Sequence, residues 1–263
     1  MTSVPGQADL IRLLLFVFLA SLRFLGLFSF LVLFTGAAVP MMVRLWLSFA
    51  LGVVILPLCK DAPIDIRMLS NSFGVLLACG RELFCGAILG TLSSAPITAL
   101  QMTGSLIAQQ MGLSISETVD PMTEARVSPV GQMKTLLGTW FWFYWGGHLL
   151  MVQAVIETFR MIPVGSPLAA FLSLEGVSRW IKGLFILSAK MFLPYFGLLL
   201  AAEIGLGAVS KALPQMNLFM LGFPVKILLG IFLLAVMAIS IIQTAFWNST
   251  LPFLELFPEF IGR

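Results

Sequence analysis

The sequence predicts an all-α integral membrane protein of about six long, partly kinked helices arranged as hairpins. Three observations carry this. First, of 263 residues 59% are hydrophobic and only 10% charged, with mean hydropathy +1.04; a soluble domain carries about 25% charged residues. Second, six apolar runs punctuate the chain, at 10–34, 41–58, 70–100, 136–159, 181–209 and 221–246. Third, these runs far exceed the roughly 10 residues of a barrel strand and do not alternate apolar with polar, which argues against a membrane barrel. No shift in composition divides the chain, so one domain over 1–263 is expected.

The first run holds Arg12 and Arg23 and follows an N-terminus without the basic head of a secretory signal. It is also too long for a signal's apolar core, so a retained helix is expected. A turn at 36–40 leads to the second run, which closes at Pro57, and Lys60 to Arg67 forms a polar loop. The third run contains Arg81, Glu82 and Pro96. It is too long for one straight crossing of a hydrocarbon core about 30 Å thick, which takes roughly 20 residues; Pro96 is expected to kink or end the helix.

Residues 101–135 make the long, moderately polar stretch of the chain, read as a central loop. The fourth run opens on the aromatics Trp140 to Trp145, followed by Gly146, Gly147 and His148. Six consecutive aromatics cover every side of a helix. They are expected to face a partner, the other reading being an interfacial belt. The fifth run contains Lys182, Lys190, Pro194 and Glu203, and the sixth leads into a tail at 247–263. An even number of crossings places both termini on one side, and the loop charges assign that side to the cytoplasm, with Lys134 counted in a loop on the other.

The net charge of +3 is too small to argue for nucleic acid. Cys59, Cys79 and Cys85 lack ligand-like spacing and read as small buried hydrophobes. His148 is the only histidine, which excludes a histidine-based zinc cluster within the chain, and there is no phosphate-binding loop for an ATP-driven motor. No cofactor and no catalytic site is called for. Arg23, Arg81, Glu82, Lys190, Glu203 and Lys226 nevertheless lie in or against apolar runs, where a lipid-facing charge costs several kcal/mol. Pairing inside a protein assembly resolves this most simply. A proton- or ion-coupled transporter is the alternative, with Glu82, Glu157 and Glu203 as its candidate acids. Adjacent Arg81 and Glu82 point in different directions on a helix, so each is expected to pair elsewhere. Gly86 with Gly90, and Gly205 with Gly207, mark thin helix faces suited to close packing.

One stretch and several ordered motifs carry a family resemblance. Gly104-Ser-Leu-Ile-Ala-Gln-Gln-Met-Gly-Leu-Ser-Ile-Ser-Glu-Thr-Val-Asp-Pro121 resembles the signature of the integral export-gate subunit shared by flagellar and virulence type III secretion systems, the flagellar R component and its injectisome T-component counterpart. Arg81-Glu82-Leu83 with Gly86 and Gly90, Gly147-His148, Ile162-Pro163-Val164-Gly165, Pro214 to Phe219, Gly222 to Lys226 and Gly230 extend the match over nearly the whole chain. Near 140–147 the sequence departs from the family pattern, which leaves the choice between flagellum and injectisome open. The resemblance implies a bacterial inner-membrane subunit, within the secretion or flagellar basal body. There it would join P-type and Q-type subunits and the switch (B/U-type) subunit in a helical gate, through which unfolded proteins pass.

On that resemblance Gln109, Gln110, Met111, Gly112, Leu113, Ser114, Ile115, Asp120 and Pro121 correspond to a loop that plugs the channel. Their chemistry fits: uncharged hydrogen-bonding groups, flexible apolar bulk, and glycines that permit sharp bends. Asp120-Pro121 has the form of a helix boundary. The assembly candidates are Arg81, Glu82, His148, Pro214, Gln215, Asn217, Phe219 and Lys226. Pro214 fixes a turn whose exposed backbone groups Gln215 and Asn217 can satisfy, and Lys226 is expected to meet a carboxylate or a helix C-terminus.

Overall fold

The computed structural model describes residues 7–34, 39–58, 72–113, 129–161, 164, 174–212 and 222–236. Among these are eight α-helices: α1 (Gln7–Phe30), α2 (Met41–Ile55), α3 (Ser72–Ser93), α4 (Ala95–Met111), α5 (Pro129–Tyr144), α6 (Gly147–Met161), α7 (Leu174–Ala212) and α8 (Gly222–Val236). A short 3-10 turn, Leu56–Leu58, closes α2 at Pro57. Among the described residues, three stretches are long and apolar enough to cross a membrane by length and composition: Leu13–Phe30, Phe73–Ser93 and Glu175–Val209.

Among the described residues eight helices stand where six were expected, because two apolar runs break. The third run divides at Ser94 into α3 and α4. Pro96 sits in the first turn of α4, where a missing N–H costs nothing, and Ser94 closes α3 by donating its N–H to the Gly90 carbonyl and its hydroxyl to the Thr91 carbonyl. The fourth run divides at Gly146, whose φ of 75° is left-handed. Its carbonyl accepts the first amide bonds of α6, from Leu149 and Leu150. The fifth run is longer than expected: α7 has 39 residues and keeps Pro194 inside. The polar stretch 101–135 is helical at both ends, since α4 runs to Met111 and α5 starts at Pro129. Its apolar residues fall at helical spacing there, with Thr103, Gly104, Ile107, Ala108 and Met111 buried on α4.

The chain divides into two compact units that its uniform composition does not distinguish. One comprises the described residues within Met1–Ser94 and Gly146–Trp180; the other comprises those within Ala95–Trp145 and Ile181–Pro252. In the first unit α1 buries a stripe at three- and four-residue spacing: Phe16, Leu19, Ala20, Arg23, Phe24, Leu27 and Phe28. Helix α3 lies against that stripe with backbones touching. A Cβ on Gly86 would strike the Arg23 carbonyl, and one on Gly90 the Leu27 carbonyl, so this four-residue glycine pair sets the crossing. The other expected thin face has no such neighbour, for a Cβ on Gly205 or Gly207 meets nothing within 4 Å.

In the second unit α4 and α5 also cross backbone to backbone, Gly104 against Gly131. Around this crossing Ile107, Ala108 and Met111 of α4, Val130 of α5, Tyr195 and Leu199 of α7, and Leu233 and Leu234 of α8 form one buried cluster. Thr103 extends the contact, with its hydroxyl 3.3 Å from both the Ser188 hydroxyl and the Ser188 carbonyl oxygen.

Candidate functional site

The foot of the 109–121 segment is built by the C-terminus of α4. The Gly112 N–H donates to the Gln109 carbonyl and the Leu113 N–H to the Ala108 carbonyl, each at 3.0 Å. With Gly112 at φ 83°, this is a Schellman closure, in which a left-handed glycine satisfies the last helical carbonyls and turns the chain sharply. Two contacts seat the turn on α8. A Cβ on Gly112 would overlap the Phe223 ring, and a Cβ on Gly230 would overlap the Met111 side chain. Met111 is fully buried, Leu113 packs against the same cluster, Gln110 is half-buried and Gln109 is exposed. Ser114, Ile115, Asp120 and Pro121 lie outside the described residues, as do Pro214, Gln215, Asn217 and Phe219.

Near this seat Lys226 of α8 donates to a carboxylate oxygen of Glu203 on α7 at 2.7 Å. The two side chains are 19% and 49% exposed, so the carboxylate does not sit in a dry interior of this chain. The ion pair of the first unit is different in kind. Arg23 donates Nε to Glu82 Oε2 at 2.7 Å, with the two side chains 0% and 1% exposed. Its Nη1 donates to Thr158 Oγ1 at 3.3 Å, and the guanidinium lies 4.1 Å from the centre of the Phe159 ring. Charge, hydrogen bond and aromatic face together tie α1, α3 and α6 around one buried cation. Arg81 and His148 are each half-buried, on α3 and in the first turn of α6. Among the described residues no group of three or more His, Cys, Asp or Glu is placed to hold a metal ion.

Lys134 corrects the sequence reading. Counted as a loop charge, it lies on α5 and is 1% exposed. Its Nζ stands 4.2 Å from the centre of the Tyr195 ring, and neither that nitrogen nor the Tyr195 hydroxyl has a hydrogen-bond partner among the described residues. Lys134 is outside the three candidate spans, and burial pulls its pKa down from 10.5 to about 7. The spacing Val130, Lys134, Gly138, Trp142, four residues apart each time, marks the buried face of α5 and was available in the sequence.

These two units define an all-helical membrane protein whose buried charges are matched mainly by helix-to-helix pairing. The pattern described as "Bacterial export proteins, family 1" matches residues 14–249, and the chain belongs to that family. Among its relatives, the flagellar biosynthetic protein FliR of Aquifex aeolicus is 30% identical, over 99% of this chain and 98% of its own length. The FliR of Escherichia coli is 29% identical over 81% of this chain and 80% of that protein. The Yop proteins translocation protein T of Yersinia pestis is 24% identical over 66% of this chain and 68% of its own length.

Proposed function

We propose that this chain is a membrane subunit of the type III protein export apparatus, placed in the bacterial inner membrane. In this reading it assembles with P-type and Q-type subunits, beside the switch subunit, into a pore for unfolded proteins, and residues 109–121 obstruct that pore at rest. The observation that carries the reading is the family match over 14–249, with relatives named for flagellar biosynthesis and for translocation of Yop proteins. The barrier role draws support from the seat of the segment. Its foot is fixed by the Gly112 closure and by Phe223 and Met111, which suits a segment that must start from a defined place.

The transporter alternative needs acidic groups free to change charge within the helices. Glu82 is held by Arg23 and Glu203 by Lys226, each at 2.7 Å, and exposed Glu157 by Arg160 at 3.1 Å, which favours a conduit over a proton relay. Co-expression with the P-type and Q-type subunits, followed by detergent extraction, tests the proposal. A stable particle containing this chain is expected. Recovery of a monomer that moves small ions or solutes after reconstitution, and that fails when Glu82 or Glu203 is neutralised, would establish the alternative.

A further inference from the structure

The buried amine of the second unit has no part in the reading above. Among the described residues, every charged or titratable group on the helices around Lys134 can be placed. Helix α4 carries none, and α5 adds only Tyr144, at its far end. From α7, Tyr195 faces the amine through its ring; Glu175 and Arg179 are exposed and pair with each other at 3.1 Å, Lys182, Lys190 and Lys211 are exposed, and Glu203 is engaged by Lys226, the one such group on α8. Among the described residues no acceptor meets the Lys134 nitrogen, and the Tyr195 hydroxyl is likewise buried without a hydrogen-bond partner. An ammonium sealed in this way keeps a ring face but loses its water, so the packed arrangement favours the neutral amine.

We propose that Lys134 and Tyr195 form a proton-operated latch in the second unit: the neutral amine closes α5 onto α7, and protonation favours an arrangement in which the amine reaches water. The latch bears on the seat of α4, because one turn before Lys134 stand Gly131, which meets Gly104, and Val130, which belongs to the cluster holding Met111. An amine with an ordinary pKa when open and one near 7 when closed makes opening more frequent as pH falls. The ratio of open to closed grows by up to about tenfold per pH unit down to about pH 7 and levels off below it. This holds whether or not residues 109–121 obstruct a channel, and its test does not read channel closure.

The test is the rate at which acetic anhydride acetylates each lysine of the full chain in its purified complex, followed by mass spectrometry from pH 6 to 9. Free Nα-acetyl-lysine in the same solution, the reference amine, should react faster with every rise in pH. Lys134 should react slowly, with a rate that climbs to about pH 7 and is then flat, because a buried amine reports the pKa of its closed state. A Lys134 rate that rises in parallel with that of the free lysine up to pH 9 would overturn the latch. Thiol labelling of an Ala108→Cys chain, with and without Lys134→Met, gives a second reading from the same cluster. The ratio of the two rates should fall by up to tenfold per unit between pH 7 and 9, and a ratio constant over that range would also overturn it. The acetylation profile needs no substitution, so a poorly folding variant leaves the test intact.

Discussion

Arg23 occupies a position in the α1 stripe that helical spacing reserves for an apolar side chain, and Glu82 makes that placement tolerable. Replacing Glu82 by Leu leaves a buried guanidinium without its counter-charge, which costs about 3–5 kcal/mol. Thermal unfolding in detergent should show a large loss for Glu82→Leu. The double change Arg23→Met with Glu82→Leu should recover most of it, since an apolar pair fills the same space; a double variant as weak as the single one would contradict this account. Lys226→Met is expected to matter far less to the isolated chain, because Glu203 stays half in solvent. Lys134 gives a pH signature. Below about pH 7 both folded and unfolded chains hold its proton, and between about 7 and 10.5 only the unfolded chain does. Stability should therefore rise with pH across that window, by at most about 1.4 kcal/mol per unit, and Lys134→Met should remove this slope in denaturant titrations at several pH values. The sequence marked Arg23, Glu82, Glu203 and Lys226 as charges needing partners, because each interrupts an apolar run. It could not say which would meet, since Arg23 and Glu82 are 59 residues apart and their meeting depends on how α1 crosses α3.

At the scale of elements, the breaks were legible where backbone chemistry forces them and were underestimated elsewhere. Pro96 signalled the division of the third run, although the break falls two residues earlier, at Ser94. Gly146 was visible only as part of a glycine pair, and its positive φ is what ends α5 and opens α6. The moderate polarity of 101–135 suggested a loop, but the apolar residues on the inner face of α4 follow helical spacing, and that period outweighs average polarity. The two glycine pairs separate packing from permissiveness. Gly86→Ala should force α1 and α3 apart, at a cost of several kcal/mol, because the added carbon meets a main-chain carbonyl that cannot rotate away. Gly205→Ala, on an α7 face with open space around it, should leave the isolated chain unchanged or stabilise it by up to about 1 kcal/mol. Equal destabilisation of both variants in the same unfolding assay would contradict the crossing described for the first unit.

For the molecule as a whole, the exposed faces are as apolar as the buried ones: Trp46 is 70% exposed, Phe73 75% and Leu228 70%. Such a chain needs lipid or protein around it. Class and family were readable from composition and ordered motifs; the division into two units was not, because it arises from contacts between segments far apart in the sequence. The central claim is that residues 109–121 close a pore built by this subunit and its partners. Conductance of the purified gate in a planar bilayer tests it most directly, with Met111→Gly and Leu113→Gly combined and subunit content measured on the same preparation. The wild-type gate should be tight to small ions, and the fully assembled variant should conduct. A variant of unchanged subunit content that is as tight as wild type would contradict the account.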